Sequence, residues 1–353
     1  MLGAPLVNVK AMDDIWEHHR DSFVRAGTRL KNLHAHDALV IVKHSLSLPK
    51  LLFHLRCTYS GDHPMLQILD MKLRDMVSQI LNVDLSDQQW NQAALPVKWG
   101  GLGIRKTTQV APSAYLASVA GVKDLVSSIL PAGHVRLPDS LLDKAVERWK
   151  AYGGLSQPSG PEAQIQKCWD QQVLKKTSEM LMQEASDDYS KARIRASLAP
   201  HAEEWLNAPP ISAVGLRLSN EALRVAVGLR LGANICAPHM CRCSAQVDAR
   251  GIHGLSCVRS AGRQLRHSLV NDIIHRALTR AKVPSTKEPA GLLAGSSLRP
   301  DGATLIPWTR GKCLAWDATC PDTVAQSHLA TTSITTGAAA LMPVTKSTKN
   351  TLL

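Results

Sequence analysis

Four cysteines in one short stretch constrain this sequence more than any other feature. The segment NICAPHMCRCSAQVDARGIHGLSC holds half of the chain's eight cysteines, Cys236, Cys241, Cys243 and Cys257, together with His253. Thiolates and imidazoles at this density fit a tetrahedral zinc ion. We predict Cys241, Cys243, His253 and Cys257 as its ligands, with Cys236 as an alternative to one of them. Such a zinc is structural, because four protein ligands leave no open position for water. The other interpretation is a group of buried thiols beside a surface histidine.

Positive charge is concentrated toward the C-terminal end of the sequence. The formal net charge is +12, and the segment from position 236 onward carries 14 Lys and Arg against 6 Asp and Glu. A concentrated basic surface suggests a polyanionic partner, of which nucleic acid is the commonest; a basic surface that is merely solvated is the alternative. Arg259, Arg263 and Arg266 follow the cysteine cluster, and we expect them to contact phosphates.

The N-terminal residues and the hydropathy of the chain bear on its compartment. The sequence has no secretory pattern at its start and no run of about eighteen apolar residues. These features predict an intracellular protein with no membrane partner. In a reducing compartment, cysteines are thiols or metal ligands rather than disulfides.

Amphipathic helix patterns dominate the first two-thirds of the sequence. In HPMLQILDMKLRDMVSQILNV, one helical stripe contains Leu66, Leu69, Leu73, Met76, Ile80 and Leu81. Ser86 and Ser219 are predicted helix N-caps, and Gly100 and Gly101 a turn. We predict an α+β protein that is mostly helical. Its predicted regions are a helical region over 1–130, a linker and helical region over 131–230, a zinc knuckle over 231–260 and a small α/β module over 261–353.

Two isolated acids stand in the β-prone stretch SSLRPDGATLIPWTRGKCLAWDATCPD. LRPDGATLI and KCLAWDATC are predicted strands joined by PWTRG, and a hairpin centred on Thr309 places Asp301 opposite Asp317. The Cβ atoms of opposed residues lie about 4.5–5.5 Å apart, so two carboxylates there repel each other unless a cation lies between them. We therefore predict a Mg²⁺ site at these acids. In the alternative, a bulge shifts the register, and one acid lies in a turn while the other is solvated.

The helix pattern before this hairpin adds two polar residues to the predicted site. In GRQLRHSLVNDIIHRALTRAKV, His267 begins a stripe with Val270, Ile274 and Leu278, and Arg266 lies beside it. An Arg and a His turned toward a core require polar partners, which a carboxylate–metal site and a phosphate would supply. A core histidine with an ordinary hydrogen-bond partner is the alternative.

Several stretches, in this order, resemble the C-terminal part of reverse transcriptase-like proteins from animal non-LTR retrotransposons. The closest type carries a zinc knuckle followed by a restriction-like endonuclease of the PD-(D/E)xK class. The resemblance implies a thumb-like helical region over 1–130, a small αβββ-type endonuclease module over 261–353, a nuclear location, and DNA and element RNA as partners. The stretches that carry it are RLKNLHAHDALVIVKHSLSLPKLL, LPVKWGGLGIRKTTQVAPSAYLASVAG, CRCSAQVDARGIHGLSC, RSAGRQLRH and RPDGATLIPWTRGKCLAWDATCPDT.

The resemblance also implies roles for individual residues. Asp301, after Pro300, and Asp317 are similar to the two metal-binding acids of the nuclease, and Arg266-His267 to the Arg-His step that precedes them. These acids would hold the Mg²⁺ that orients and activates water.

The catalytic lysine of this nuclease class is expected downstream on a helix, and Lys346 or Lys349 matches it. It would stabilise the negative charge that develops on the phosphate. The chain ends four residues past Lys349, so we expect a truncated module with impaired catalysis. The paired aspartates of a polymerase turn are missing, and we expect no DNA synthesis by this chain.

Two functions follow from these observations. The first is Mg²⁺-dependent hydrolysis of DNA by the C-terminal module. The second is nucleic-acid binding by a zinc-stabilised remnant without catalysis.

Overall fold

The computed structural model describes residues 9–130, 139–257, 259–291 and 299–341. They form a mostly helical α+β protein with small antiparallel sheets, which agrees with the predicted fold class. The chain divides into two compact units. Unit 1 comprises Met1–Ser186 and Pro200–Ile235, and unit 2 comprises Asp187–Ala199 and Cys236–Leu353. Most of the predicted linker and helical region over 131–230 belongs to unit 1.

The described elements are numbered here in chain order. The α-helices are α1 Val9–Leu30, α2 Ala35–Ile41, α3 Leu48–Cys57, α4 Pro64–Leu81, α5 Asp87–Ala93, α6 Thr107–Ile129, α7 Asp139–Ala151, α8 Gln166–Glu184, α9 Asp188–Ser197, α10 Glu204–Asn207, α11 Asn220–Leu231, α12 His253–Ser256, α13 Ala261–Arg280 and α14 Gln326–Thr332. A π-helical turn covers Val42–Leu46, and 3-10 turns cover Val97–Trp99, Gly160–Gln164 and Ser212–Val214. The strands are β1 His239–Met240, β2 Gln246–Val247, β3 Ser285–Lys287, β4 Gly302–Thr304 and β5 Ala315–Trp316.

The predicted apolar stripe lies on α4 and faces the core of unit 1. Five of its six residues are buried, and Ile80 is half-buried. Ser86 caps α5 through a capping box with Gln89, and the Ser219 hydroxyl caps α11. Both predicted N-caps are therefore confirmed.

Asp70, on α4, satisfies the N-terminus of α6. Its carboxylate accepts hydrogen bonds from the backbone N–H groups and the hydroxyls of Thr107 and Thr108, at 2.6–3.2 Å. The first N–H groups of a helix have no partner inside the helix, and the helix dipole favours a negative charge at that end. These four bonds explain why an aspartate is buried in the core of unit 1.

The predicted turn at Gly100 and Gly101 lies in a buried loop between α5 and α6. Gly100 has a left-handed φ of 84°, and a Cβ on Gly101 would lie 2.0 Å from the Leu95 carbonyl oxygen. The buried guanidinium of Arg230, on α11, donates to the carbonyls of Val97 and Gly101 at 2.9 and 3.2 Å. The glycines let the backbone fold this tightly, and Arg230 pairs the carbonyls that the fold turns inward.

The segment Ala35–Cys57 has the length and apolar composition of a membrane-crossing helix, with a mean hydropathy of 1.3. In unit 1 it consists of α2, the π-helical turn and α3, with Pro49 in the first turn of α3. Ala38, Val42, Leu51 and Leu55 along it are fully buried in the core. A buried core helix can have the same length and apolar composition, so composition alone is weak evidence for a membrane-spanning helix.

A histidine pair of buried His19 and half-buried His54 joins α1 to α3. His19 is 6% exposed and packs beside Trp16, and its Nε2 lies 3.1 Å from Nδ1 of His54. Burial, and then the neighbouring His54, Lys50 and His18, lower the pKa of His19 to about 4. Between about pH 6.5 and pH 4, the His19 side chain is therefore neutral in the folded protein and protonated in the unfolded chain.

We expect unit 1 to lose stability as the pH falls from about 6.5 toward 4, because the unfolded chain then binds a proton that folded His19 does not. Between pH 7 and pH 5 the free energy of unfolding of the wild type should fall by about 2 kcal/mol more than that of His19→Gln. Urea unfolding of the full chain, followed by tryptophan fluorescence, measures the difference. His44→Gln, at an exposed position of unit 1 that does not act on the pKa of His19, should keep the wild-type pH dependence. Equal pH dependence of His19→Gln and wild type would contradict the assignment.

Unit 2 contains both small sheets. β1 and β2 form an antiparallel pair, and β3, β4 and β5 form a three-stranded antiparallel sheet in that order. The helix α13 precedes this sheet and packs against β3, while α9 packs against α14. The described C-terminal region thus has the order α13, β3, β4, β5, α14.

Candidate metal centre and acidic hairpin

A short β-ribbon and a one-turn helix position the four predicted zinc ligands. β1 and β2 pair with His239 opposite Val247, and the tight turn between them carries Cys241 and Cys243. Ser244 follows with a left-handed φ of 68°, and the Cys241 N–H donates to the Ala245 carbonyl at 2.9 Å. This turn aims both thiols at the same side of the ribbon. The helix α12 begins at His253 and ends just before Cys257, so both face one point.

The four side chains converge closely enough for one metal ion. The ligand atoms of Cys241, Cys243, His253 and Cys257 all lie within 4.8 Å of one another. The two sulfurs of Cys241 and Cys257 are 3.7 Å apart, and Cys243 Sγ lies 3.1 Å from His253 Nε2. Zinc–sulfur bonds of about 2.3 Å at tetrahedral angles require sulfurs about 3.8 Å apart, which the sulfur pair matches. This Cys₃His cluster could hold a metal ion such as zinc.

The chemistry of one of these thiols, that of Cys241, also fits a metal. Hydrogen bonds from the backbone N–H and the thiol of Cys243 lower the pKa of Cys241 to about 6. The thiolate is the form that ligates a metal, so Cys241 is prepared for that role.

The alternative ligand Cys236 lies apart from the cluster. Its thiol donates to the carbonyl of Asp248 at 3.3 Å and is close to that of Ala249. The Cys-x-Cys step of Cys241 and Cys243, tighter than the usual zinc spacing, is sufficient here because the turn reverses the chain between them.

Two of the three predicted phosphate-binding arginines support the Cys₃His cluster from outside. Arg259 donates from Nη1 to the Arg242 carbonyl at 2.6 Å, and Arg266 donates from Nη2 to the Leu255 carbonyl at 2.7 Å. Arg266 was expected to face the core beside His267, but it turns to α12 instead. Each guanidinium keeps further N–H donors for a phosphate. The side chain of Arg263 lies outside the described part.

The two acids are opposed across the β4–β5 hairpin. Gly302 pairs with Trp316 and Ala303 with Ala315, so the next positions outward are Asp301 and Asp317. The Asp301 N–H donates to Oδ1 of Asp317 at 3.3 Å. The predicted register is therefore found at the base of the hairpin.

The turn itself differs from the predicted one. Thr309 bridges to Lys312 around Arg310 and Gly311, whose φ values of 48° and 74° define a type I′ turn. This centre does not match the register at the base. A three-residue bulge, 305–307, between β4 and the turn restores the register. The observed turn lies later in the sequence than Thr309, and the extra residues of the bulge lie before it. These two offsets cancel, so a hairpin centred on Thr309 predicts the correct pairing at the base.

The Asp301 carboxylate is held by several groups. Its Oδ2 accepts a hydrogen bond from the Ala318 N–H and lies 3.0 Å from Nε2 of His267, on α13. The Asp301 side chain is 17% exposed and that of His267 33%. His267 therefore does face the acids, as predicted, and it contacts Asp301 directly.

Asn271 was missed by the sequence analysis, although it ties α13 to the hairpin. It is 4% exposed, donates to the Asp301 carbonyl at 2.9 Å and accepts from Trp316 Nε1 at 2.9 Å. It lies one turn after His267 on the same helix face, and a polar residue at that position was the available signal. A Cβ at Gly302 would lie 2.0 Å from the Trp316 ring, so this glycine leaves room for the indole.

The predicted Mg²⁺ site gains little from these contacts. Within residues 9–130, 139–257, 259–291 and 299–341, the Cys₃His cluster is the group of three or more metal-binding side chains that converges on one point. Asp301 and Asp317 belong to no such group there. Lys346 and Lys349, the predicted catalytic lysines, lie outside the described residues. Mg²⁺ binding therefore remains a prediction.

Comparison with known proteins adds no relative. No protein-family model matches the chain, and no curated protein matches it.

Proposed function

We propose that this chain is a zinc-stabilised nucleic-acid-binding protein. The observation that carries the proposal is the Cys₃His cluster at the start of the most basic part of the chain, with Arg259 and Arg266 donating to its backbone. A metal that orders this short ribbon would also fix the arginines on its surface. Fixed guanidinium groups suit phosphate binding because their donors match phosphate oxygens.

We further infer that the chain derives from the C-terminal part of a non-LTR retrotransposon protein, with DNA and element RNA as partners in the nucleus. The order of a Cys/His cluster, a helix and three antiparallel strands supports this origin. It is the order that the resemblance predicts. Helical unit 1 would then correspond to the thumb-like region.

Substitution of one exposed arginine beside the Cys₃His cluster tests the binding proposal. Arg242 lies between the two ligands of the Cys-x-Cys step and its side chain is exposed. In anisotropy titrations of labelled DNA and RNA, the full chain with zinc should bind more weakly as salt rises. Arg242→Gln should reduce the slope of log affinity against log salt by about 0.7–0.9, the value for one phosphate contact. Lys98→Gln, at an exposed position of unit 1, should leave the slope unchanged. Salt-independent or undetectable binding by the wild type would refute the proposal.

DNA cleavage is the second candidate function, favoured by the opposition of Asp301 and Asp317 at the hairpin base. A divalent ion between the carboxylates would orient water for attack on a phosphate, with His267 holding Asp301 in place. Incubation with supercoiled plasmid in Mg²⁺ or in EDTA tests this function. Mg²⁺-dependent nicking that Asp301→Asn and Asp317→Asn both lose supports cleavage. Binding without nicking by the wild type leaves the binding role alone.

A further inference from the structure

The tip of the β4–β5 hairpin is an exposed apolar and basic surface that neither the metal centre nor the acids use. We call residues 305–312 the hairpin tip. Leu305 is 63% exposed, Ile306 44% and Trp308 55%. Single exposed apolar residues are common, but three within four positions, one of them a tryptophan, are a concentration of the kind that marks a binding surface.

Backbone hydrogen bonds anchor both ends of this segment. The Thr304 N–H donates to the Leu314 carbonyl at 2.8 Å, and the Trp308 N–H donates to the Lys312 carbonyl at 2.8 Å. Between these anchors, Pro307 restricts the bulge, and the Thr304 hydroxyl donates to the Ile306 carbonyl at 2.9 Å. Little conformational entropy is therefore lost when a ligand binds to Trp308.

The turn has an arginine at a position where asparagine or glycine would make the folded protein more stable. Arg310 has a φ of 48°, in the left-handed region that a type I′ turn demands and that asparagine or glycine adopts most easily. A long side chain there costs about 1 kcal/mol. The arginine thus projects from the outermost point of the hairpin at a cost in stability.

The charge of the tip has one sign. Arg310 and Lys312 are both exposed. Between Asp301 and Asp317 the sequence contains these two cations and no acid. The surface around Trp308 is thus complementary to an anion that also carries a flat apolar group.

We propose that the hairpin tip binds an unpaired nucleotide of single-stranded nucleic acid. The base stacks on the Trp308 indole beside Leu305 and Ile306, and Arg310 and Lys312 contact the flanking phosphates. Stacking needs a free base face, which a duplex does not offer, so the tip selects single strands. This inference rests on the proposed nucleic-acid binding and names the form of nucleic acid that this surface takes.

The test compares Trp308→Ala and Trp308→Phe with the wild type, as zinc-loaded full chains. Each is titrated with a labelled twelve-nucleotide DNA strand, the RNA strand of the same sequence, and the matching DNA duplex. We expect Trp308→Ala to weaken single-strand binding about tenfold or more, within the range for loss of one stacked base, and duplex binding less than twofold. Trp308→Phe should keep most of the affinity. Comparison of the affinities for the DNA and RNA strands shows whether the protein prefers deoxyribose or ribose.

Two further variants separate stacking from general surface effects. Arg310→Asn preserves the left-handed turn and removes the cation, so it should lower single-strand affinity and its salt dependence together. Ile334→Ala removes another apolar side chain of unit 2, 72% exposed, and should change nothing.

The outcomes distinguish this inference from the proposed function. Nucleic-acid binding by the wild type that Trp308→Ala leaves intact overturns the role of the tip and preserves the proposed function. A wild type that binds no nucleic acid refutes both. Self-association of the wild type that Trp308→Ala abolishes, without an effect on single-strand affinity, would assign the tip to a second copy of the chain and overturn the inference.

Discussion

Purified chain should contain about one zinc per molecule, and Cys257→Ser should contain almost none. Cys257 is 4% exposed and its thiol lies beside that of Cys241, so its loss opens the tetrahedral set. Zinc supplies about 10–16 kcal/mol to small structural sites of this type. The ribbon of β1 and β2, with few apolar contacts of its own, should unfold locally without it. Metal analysis and limited proteolysis measure both effects, and cleavage within 236–257 should become at least about tenfold faster.

Cys236→Ser is the matched control for this experiment. Cys236 belongs to the same sequence cluster, but its thiol contacts the Asp248 carbonyl rather than the ligand set. The variant should therefore keep its zinc and its resistance to proteolysis. Full zinc content in Cys257→Ser, or a zinc-free wild type prepared with zinc under reducing conditions, would contradict the assignment of the Cys₃His cluster.

Gly101→Ala should destabilise unit 1 by about 3 kcal/mol or more. The new Cβ would lie 2.0 Å from the Leu95 carbonyl oxygen and 2.6 Å from that of Gln92. Both contacts are with backbone, so relief requires the buried loop to move and loosens its hydrogen bond to Arg230. Urea unfolding followed by tryptophan fluorescence gives the free energy directly.

Gly121→Ala provides the comparison. Gly121 lies within α6, and a Cβ there meets only the Gln164 side chain at 3.9 Å, an ordinary contact. Because alanine favours helix over glycine, this variant should be more stable by up to about 1 kcal/mol. Equal unfolding midpoints for Gly101→Ala and wild type would mean that the loop adapts freely and that the close approach is unimportant.

The helical part of the fold could be predicted because its signals are local. The stripe from Leu66 to Leu81 and the caps at Ser86 and Ser219 are set by helical periodicity and by hydrogen bonds within a few residues. The residue that pairs with a helix end from elsewhere in the sequence could not be predicted in this way. Asp70 reaches the start of α6 from 37 residues away in the sequence, and no local pattern indicates that pairing.

In the candidate sites, too, the locally determined features could be predicted and the long-range contacts could not. Cysteine and histidine spacing was enough to predict four side chains that converge, because the ribbon turn and α12 are short-range structures, and the structure then set the alternative, Cys236, apart from them. The direction of Arg266 was not predictable, since it depends on the Leu255 carbonyl being presented by α12. Asn271 was overlooked because its partners, Asp301 and Trp316, come from another element.

By itself, the sequence predicted the candidate ligand set, with Cys236 as an alternative, and the helical character, and it offered the opposition of two acids as one of two possible registers. These follow from residue chemistry and from periodicities that repeat over a few residues. Only the tertiary structure decided that His267 and Asn271 hold Asp301, and that a bulge turns Leu305, Ile306 and Trp308 outward beside two cations. Side-chain partners and exposure depend on which surfaces meet, and that is a property of the packed chain rather than of any one segment.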